Sequence, residues 1–215
     1  MMTLQLIKKD FLLARTHILI AMGLSVLIPL IVMVNVPIVT GAVAFIYTVV
    51  FATLLSLQSV ASVEAKFPKA VALLCASPYS RNSFVMAKYA CFYLLFAYCY
   101  VVYALLGLFF PTIEAINLSV VLAVLMFGTI IYSVYLPVYF KLGFERTKFF
   151  FLIVVLIIAY GMPMLINLSG NLNLYFFKFF LLPAAILNSM MLITSIVVFA
   201  VSMNLSMRIF SKKEL

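Results

Sequence analysis

The sequence predicts an all-α membrane protein with six transmembrane helices, and its composition, basic patches and charge-free intervals carry that prediction. Hydrophobic residues make up 68% of the 215 residues and charged residues 9%, whereas soluble proteins average roughly half apolar and a quarter charged. All of the 14 Lys and Arg residues except Lys178 fall in four short patches. The patches are Lys8, Lys9 and Arg15; Lys66, Lys69, Arg81 and Lys88; Lys141, Arg146 and Lys148; and Arg208, Lys212 and Lys213.

The intervals between these patches set the number of membrane crossings. Basic residues concentrate on the cytoplasmic side, so each interval must leave the cytoplasm and return. The first interval, residues 18–63, is too long for one helix of about 20 residues and suits two, with an outer turn at 35–37. The other intervals divide at 111–114 and at 167–171. We therefore expect residues 1–215 to form a single transmembrane domain with both termini in the cytoplasm.

Residues 1–17 have the pattern of a short amphipathic helix on the membrane surface. Leu4, Ile7 and Phe11 recur at helical spacing, while Gln5 and Lys8 lie on other faces. A cleaved signal peptide is the rival interpretation, because basic residues precede an apolar run. That run is too long and continues past the cleavage-like residues 42–44, so we expect a retained interfacial helix that leads into the first span.

Titratable groups are sparse and argue against a membrane enzyme. The only histidine is His17. The predicted topology places four acids inside and one outside, so no catalytic pair or metal site is expected within the bilayer. The inner acids are Asp10, Glu64, Glu145 and Glu214, and the outer one is Glu114. Lys88 is expected at the headgroup level. The net charge of +9 follows from basic loops beside anionic lipid, so membrane lipid rather than nucleic acid is the expected partner.

The cytoplasmic loop of residues 64–83 is predicted to contain a short helix. Pro68 is acceptable at the first position of a helix. Pro78 should end it, because the residue before a proline is pushed out of the helical region. The segment is more apolar than a free loop should be, through Val71, Leu73, Leu74 and Tyr79. The residues alone leave two interpretations open: a helix lying on lipid headgroups, or one that docks on a partner protein.

The order of these parts resembles the membrane subunits of ABC-2 type exporters, in particular a compact Gram-positive subgroup. Two stretches carry the resemblance: KFPKAVALLCASPYSR at 66–81, and YLP at 135–137 followed by KLGFERTK at 141–148. The resemblance implies that the first stretch is a coupling helix bound by a separate ATP-binding cassette subunit, and the second another cytoplasmic contact. The implied coupling residues are Lys66, Phe67, Pro68, Lys69, Val71, Leu73, Leu74, Pro78, Tyr79 and Arg81. The implied second contact is Lys141, Glu145, Arg146 and Lys148.

Aromatic and weakly polar residues recur at helical spacing inside the predicted spans. Tyrosines follow one stripe on the third helix and another on the fourth, and polar residues follow a stripe on the sixth. Packing and interhelical contact are the default interpretation. The functional alternative is a path for an amphipathic substrate, formed by Tyr93, Tyr100, Tyr135, Asn188 and Ser195.

These observations favour a permease subunit of an ATP-driven exporter in a bacterial cell membrane, acting as a homodimer or with a sister permease. The chain has no P-loop motif, so no cofactor is expected in it, and ATP and Mg would belong to the partner subunit. Amphipathic peptides, antimicrobials or lipid-like molecules are the expected cargo. The alternatives are the substrate-binding membrane component of a vitamin importer, and a membrane immunity or sensor protein.

Overall fold

The computed structural model describes residues 2–13, 15–35, 40–67, 81–110, 116–169 and 184–212, and these residues form seven helices without a strand. The helices are α1 (Met2–Leu13), α2 (Arg15–Asn35), α3 (Thr40–Lys66), α4 (Arg81–Phe109), α5 (Leu118–Leu142), α6 (Phe144–Ser169) and α7 (Ala184–Ser211). The predicted short helix between Pro68 and Pro78 lies outside the described residues, as do the outer turns at 36–37 and 111–114.

Four of the described helices, α3, α4, α5 and α7, are long and apolar enough to cross a membrane. Helices α1 and α2 add a fifth candidate span if the pair counts as one, with an angle of 80° between them. The predicted all-α, multi-span class is therefore confirmed. The sixth span, the orientation of the termini and the position of α1 on the membrane surface stay predictions.

The core of the bundle lies where α3, α4 and α5 meet, with α7 packed along α5 and α2 along α3. Val49, Phe92 and Leu136 are fully buried there. Helices α4 and α5 approach closely at Gly128, where an added Cβ would lie only 3.2 Å from Cζ of the Phe92 ring. A glycine at this position thus lets an aromatic side chain of α4 pack directly on the backbone of α5.

A proline in α5 exposes a backbone acceptor that ties α5 to α7. Pro137 has no N–H, so it leaves the carbonyl four residues earlier, that of Ser133, without its helical donor. Ser202 Oγ on α7 donates to that carbonyl over 2.6 Å. The buried hydroxyl group of α7 therefore replaces the hydrogen bond that the proline removes.

The same α7 hydroxyl also accepts from α4. Tyr89 Oη lies 2.6 Å from Ser202 Oγ and 2.9 Å from Ser206 Oγ. Because the only hydroxyl proton of Ser202 points to α5, Tyr89 must donate to Ser202, and Ser206 in turn donates to Tyr89. This chain of hydrogen bonds links α4, α5 and α7 with every hydroxyl proton used.

A single residue, Gly143, separates α5 from α6. Its φ of 77° lies in the left-handed region, which glycine adopts without a steric penalty. The Gly143 N–H donates to Tyr139 O over 2.9 Å, and Thr147 Oγ1 donates to Gly143 O over 2.7 Å. Hydrogen bonds on both sides thus hold the turn in one geometry.

The orientation predicted from the basic patches is testable with exposed residues at opposite ends of α5. Asn117 precedes its first residue and Glu145 follows its last, and both are exposed. In a variant whose native cysteines are replaced by serine, we expect Asn117→Cys to react with an impermeant thiol reagent in intact cells. Glu145→Cys should react only after the cells are opened. The reverse labelling pattern would invert the predicted topology.

Candidate functional site: a buried ionic cluster at the base of the loop

Four charged side chains from three helices meet at one end of the bundle. Lys88 Nζ on α4 lies 2.7 Å from Glu64 Oε1 on α3 and 3.2 Å from Asp10 Oδ2 on α1. Lys9 Nζ, also on α1, lies 3.3 Å from the same Glu64 oxygen and 2.9 Å from Asp10 Oδ1. Each lysine thus bridges both carboxylates. We call these four residues the ionic cluster.

The ionic cluster is buried and electrically balanced. The Lys88 side chain is 3% exposed and the side chains of Asp10 and Glu64 are 5% exposed each, while Lys9 reaches 25%. Two positive and two negative groups leave no net charge. Balance matters here, because burial of an unpaired charge costs several kcal/mol after relaxation, whereas paired charges compensate much of that cost for one another.

Aromatic residues complete the surroundings of the cluster. Tyr139 on α5 donates its hydroxyl proton to Glu64 Oε2 over 3.0 Å, which brings a fourth helix into the network. The Phe84 ring lies under both ammonium groups, with its centroid 5.0 Å from Lys9 Nζ and 5.2 Å from Lys88 Nζ. That range suits a cation–π contact. Phe84 in turn stacks on Phe210 of α7 at 5.3 Å.

A small cavity of about 20 Å³ adjoins the cluster, enough for about one water molecule. Asp10, Ser56, Lys88 and Tyr132 supply its polar lining, and apolar residues of α1 to α4 supply the rest. Asp10 Oδ1 is buried here and receives no well-aligned hydrogen bond from the described residues, although Lys9 pairs with it by charge. The cavity therefore extends from the cluster into the bundle between mostly apolar side chains.

Local sequence explains how separate helices supply these groups. Glu64 lies in the last turn of α3 and Lys88 in the second turn of α4, so both belong to the helix ends that flank residues 68–80. On α1, Ile7 and Asp10 are buried while Lys8 is exposed. One face of α1 therefore carries both the apolar contact and the carboxylate into the bundle.

The sequence did not predict this cluster. Lys88 was expected at the headgroup level, and its depth in a membrane stays a prediction, but its ammonium group turns inward to two carboxylates. These carboxylates compensate its charge, so the side chain need not reach water or lipid headgroups. A signal was present in the sequence: Asp10 and Glu64 are the only acids near the first two basic patches.

Most residues implied for the coupling helix lie outside the described residues. They are Pro68, Lys69, Val71, Leu73, Leu74, Pro78 and Tyr79. Lys66 and Phe67 are exposed at the end of α3, with Phe67 61% exposed, and Arg81 begins α4. The structure thus describes the two ends of the loop, one just after Glu64 in α3 and the other before Lys88 in α4.

The residues implied for a second contact gather at the turn between α5 and α6. Lys141, Glu145 and Arg146 are exposed there. Lys148 pairs with Glu145 one helical turn away, and its ammonium group lies 5.5 Å from the Phe149 ring centroid. These side chains form a charged surface available to a partner or to lipid headgroups.

The five residues proposed for a substrate path occupy different environments. Tyr93 lines an open apolar groove of about 660 Å³ between α1, α4 and α7, and Tyr100 is exposed on the same helix. Tyr135 is buried and donates to Gln58 Oε1 over 2.8 Å. Ser195 is buried and donates to the carbonyl of Leu192 in its own helix. Asn188 is half-buried, and its Oδ1 has no hydrogen-bond partner among the described residues.

Comparison with known proteins adds one finding. A family model described as ABC-2 family transporter protein matches residues 5–211. No curated protein and no solved structure matches the chain.

The balance of the cluster predicts how single substitutions affect stability. Lys88→Met should lower the free energy of unfolding by about 3–5 kcal/mol, because Lys9 alone is left to neutralise two buried carboxylates. Lys148→Met is the matched control, since it breaks an ion pair on the exposed surface and should cost about 0–1 kcal/mol. Unfolding of the purified protein by SDS titration measures both values. Equal losses in the two variants would contradict the assigned role of burial.

Proposed function

The chain belongs to the ABC-2 family of transporter proteins, and from that membership we propose that it is the membrane-spanning subunit of an ATP-driven exporter. The observation that carries the proposal is the match over nearly the whole chain, residues 5–211. The sequence holds no P-loop motif. ATP hydrolysis and Mg binding are therefore assigned to a separate ATP-binding subunit, and this chain is proposed to have no enzymatic activity of its own.

The loop of residues 68–80 is the proposed contact for that ATP-binding subunit. The exposed Phe67 at the end of α3 extends the apolar character of Leu73 and Leu74, which suits a groove in a partner protein. Lys66 and Lys69 add positive charge at the same end of the loop. The charged turn with Lys141 and Arg146 offers a second contact at a different site on the same partner.

The proposed cycle follows from this arrangement. ATP binding draws two ATP-binding subunits together, and each pulls on the loop of one permease. Two permease chains, identical or sister subunits, then rearrange and release the cargo outside. In this cycle the membrane component supplies motion, and the chemistry of ATP hydrolysis belongs to the partner subunit.

The cargo is proposed to be amphipathic or hydrophobic: membrane-active peptides, antimicrobials or lipid-like molecules. A strongly polar substrate needs charged or polar groups along its route. The charges described inside the bundle already neutralise one another in the ionic cluster. The open groove at Tyr93 presents apolar side chains from α1, α4 and α7, so it favours cargo with apolar surface of its own.

Substitutions in the loop test the proposed partner. Leu74→Asp or Lys69→Glu should leave the protein in the membrane, while the ATP-binding subunit copurifies several-fold less or its hydrolysis no longer drives transport. The reason is that a charge facing a protein groove is desolvated without a partner. Lys212→Glu, at the exposed end of α7, is the control and should retain both properties. Normal recruitment and transport in both loop variants would place the loop on lipid instead.

The cargo class is testable in cells. Deletion of the gene should raise sensitivity to a panel of amphipathic peptides, or trap the cell's own peptide products inside, because export from the inner leaflet is lost. Uptake of sugars and polar amino acids should stay unchanged, which serves as the internal control. Survival assays and labelled-nutrient uptake give the two measurements. A defect confined to polar nutrients would instead identify an importer component.

A further inference from the structure

We propose that the ionic cluster is the joint that passes motion of the loop 68–80 to the rest of the bundle, with Glu64 and Lys88 as its positioning residues. This inference rests on the proposed function, because it assumes that a partner moves the loop. It goes further by naming the residues that carry the movement and the helices that receive it.

The position of the Glu64–Lys88 pair is the first argument. The chain leaves α3 just after Glu64, runs through the loop, and enters α4 shortly before Lys88. The 2.7 Å contact between Oε1 and Nζ therefore joins the two helices at the base of the loop. A displacement of the loop then moves the ends of α3 and α4 together rather than separately.

The other contacts of the cluster determine which helices would move with the loop. Asp10 and Lys9 attach α1 to both members of the pair. Tyr139 attaches α5 through Glu64 Oε2, four residues before the Gly143 turn that leads to α6. Four helices thus share one network next to the loop.

The chemistry of the cluster is the second argument. A balanced set of buried charges is often replaceable by apolar residues without loss of stability, and apolar residues supply the rest of this core. Folding stability alone therefore does not account for charged residues at this position. Charges in fixed geometry do differ from apolar contacts in one way: they resist sliding, since each hydrogen bond has a defined direction and length.

Substitutions that keep the charges balanced separate a role in transmitting motion from a role in folding stability. Glu64→Gln and Lys88→Met each leave one uncompensated charge, whereas the double variant leaves the balanced pair Lys9 and Asp10. Both single variants should show less protein in the membrane and a lower thermal midpoint. The double variant should regain both and still copurify with the ATP-binding subunit. The ratio of transport to ATP hydrolysed, measured in proteoliposomes, should remain reduced by at least about fivefold. That value is the low end of the effect that one linked site has on another.

A second pair of substitutions provides the matched control. Tyr89→Phe with Ser206→Ala removes a buried polar link between α4 and α7 that lies next to Lys88 in sequence but does not touch the cluster. Transport per ATP should stay at the wild-type ratio in this variant. Tyr139→Phe, which keeps all four charges and removes one hydrogen bond to Glu64, should lower the ratio while the amount of protein stays normal.

The outcomes distinguish the joint from the function on which it rests. A wild-type chain that recruits no ATP-binding subunit would contradict the proposed function itself. A wild type that transports, with a stable double variant that transports equally well, would overturn only the joint and leave the cluster a structural feature. A double variant no more stable than the single ones would refute the charge-balance argument and the joint with it.

Discussion

Lys88 imposes the constraint on which one end of the bundle depends. A lysine side chain that is 3% exposed has little water to compensate its charge, so it must keep its carboxylates. Those carboxylates come from α1 and α3, and the backbone carbonyl of Lys88 accepts from the Tyr132 hydroxyl of α5 over 2.8 Å. The charge of the Lys88 side chain thereby fixes the relative positions of α1, α3 and α4. The backbone carbonyl of the same residue adds α5.

A second polar link has a different physical basis. The chain of hydroxyls from Ser206 through Tyr89 and Ser202 to the Ser133 carbonyl uses neutral groups and depends on direction rather than on charge. It exists because Pro137 leaves that carbonyl available. Two polar networks, one ionic and one neutral, are therefore anchored at neighbouring residues of α4, Lys88 and Tyr89.

Much of the architecture follows from sequence because membrane spans are encoded locally. Charge-free stretches and basic patches predicted helices that the structure contains at α3, α4, α5 and α7. The ionic cluster was beyond such reasoning, because Lys9 and Glu64 are 55 residues apart and Glu64 and Lys88 are 24 apart. Pairing across helices depends on rotation about each helix axis, which hydropathy does not specify. Asp10 and Lys88 were placed by depth alone, and depth does not identify a partner.

The Gly143 turn fixes how α6 is rotated about its own axis relative to α5. Because only one residue separates α5 from α6, one residue added or removed there would rotate every side chain of α6 by about 100° around its axis. Buried Thr147 and exposed Phe149 would then each face other neighbours. Chains that share this fold should therefore keep the number of residues between Leu142 and Phe144 unchanged.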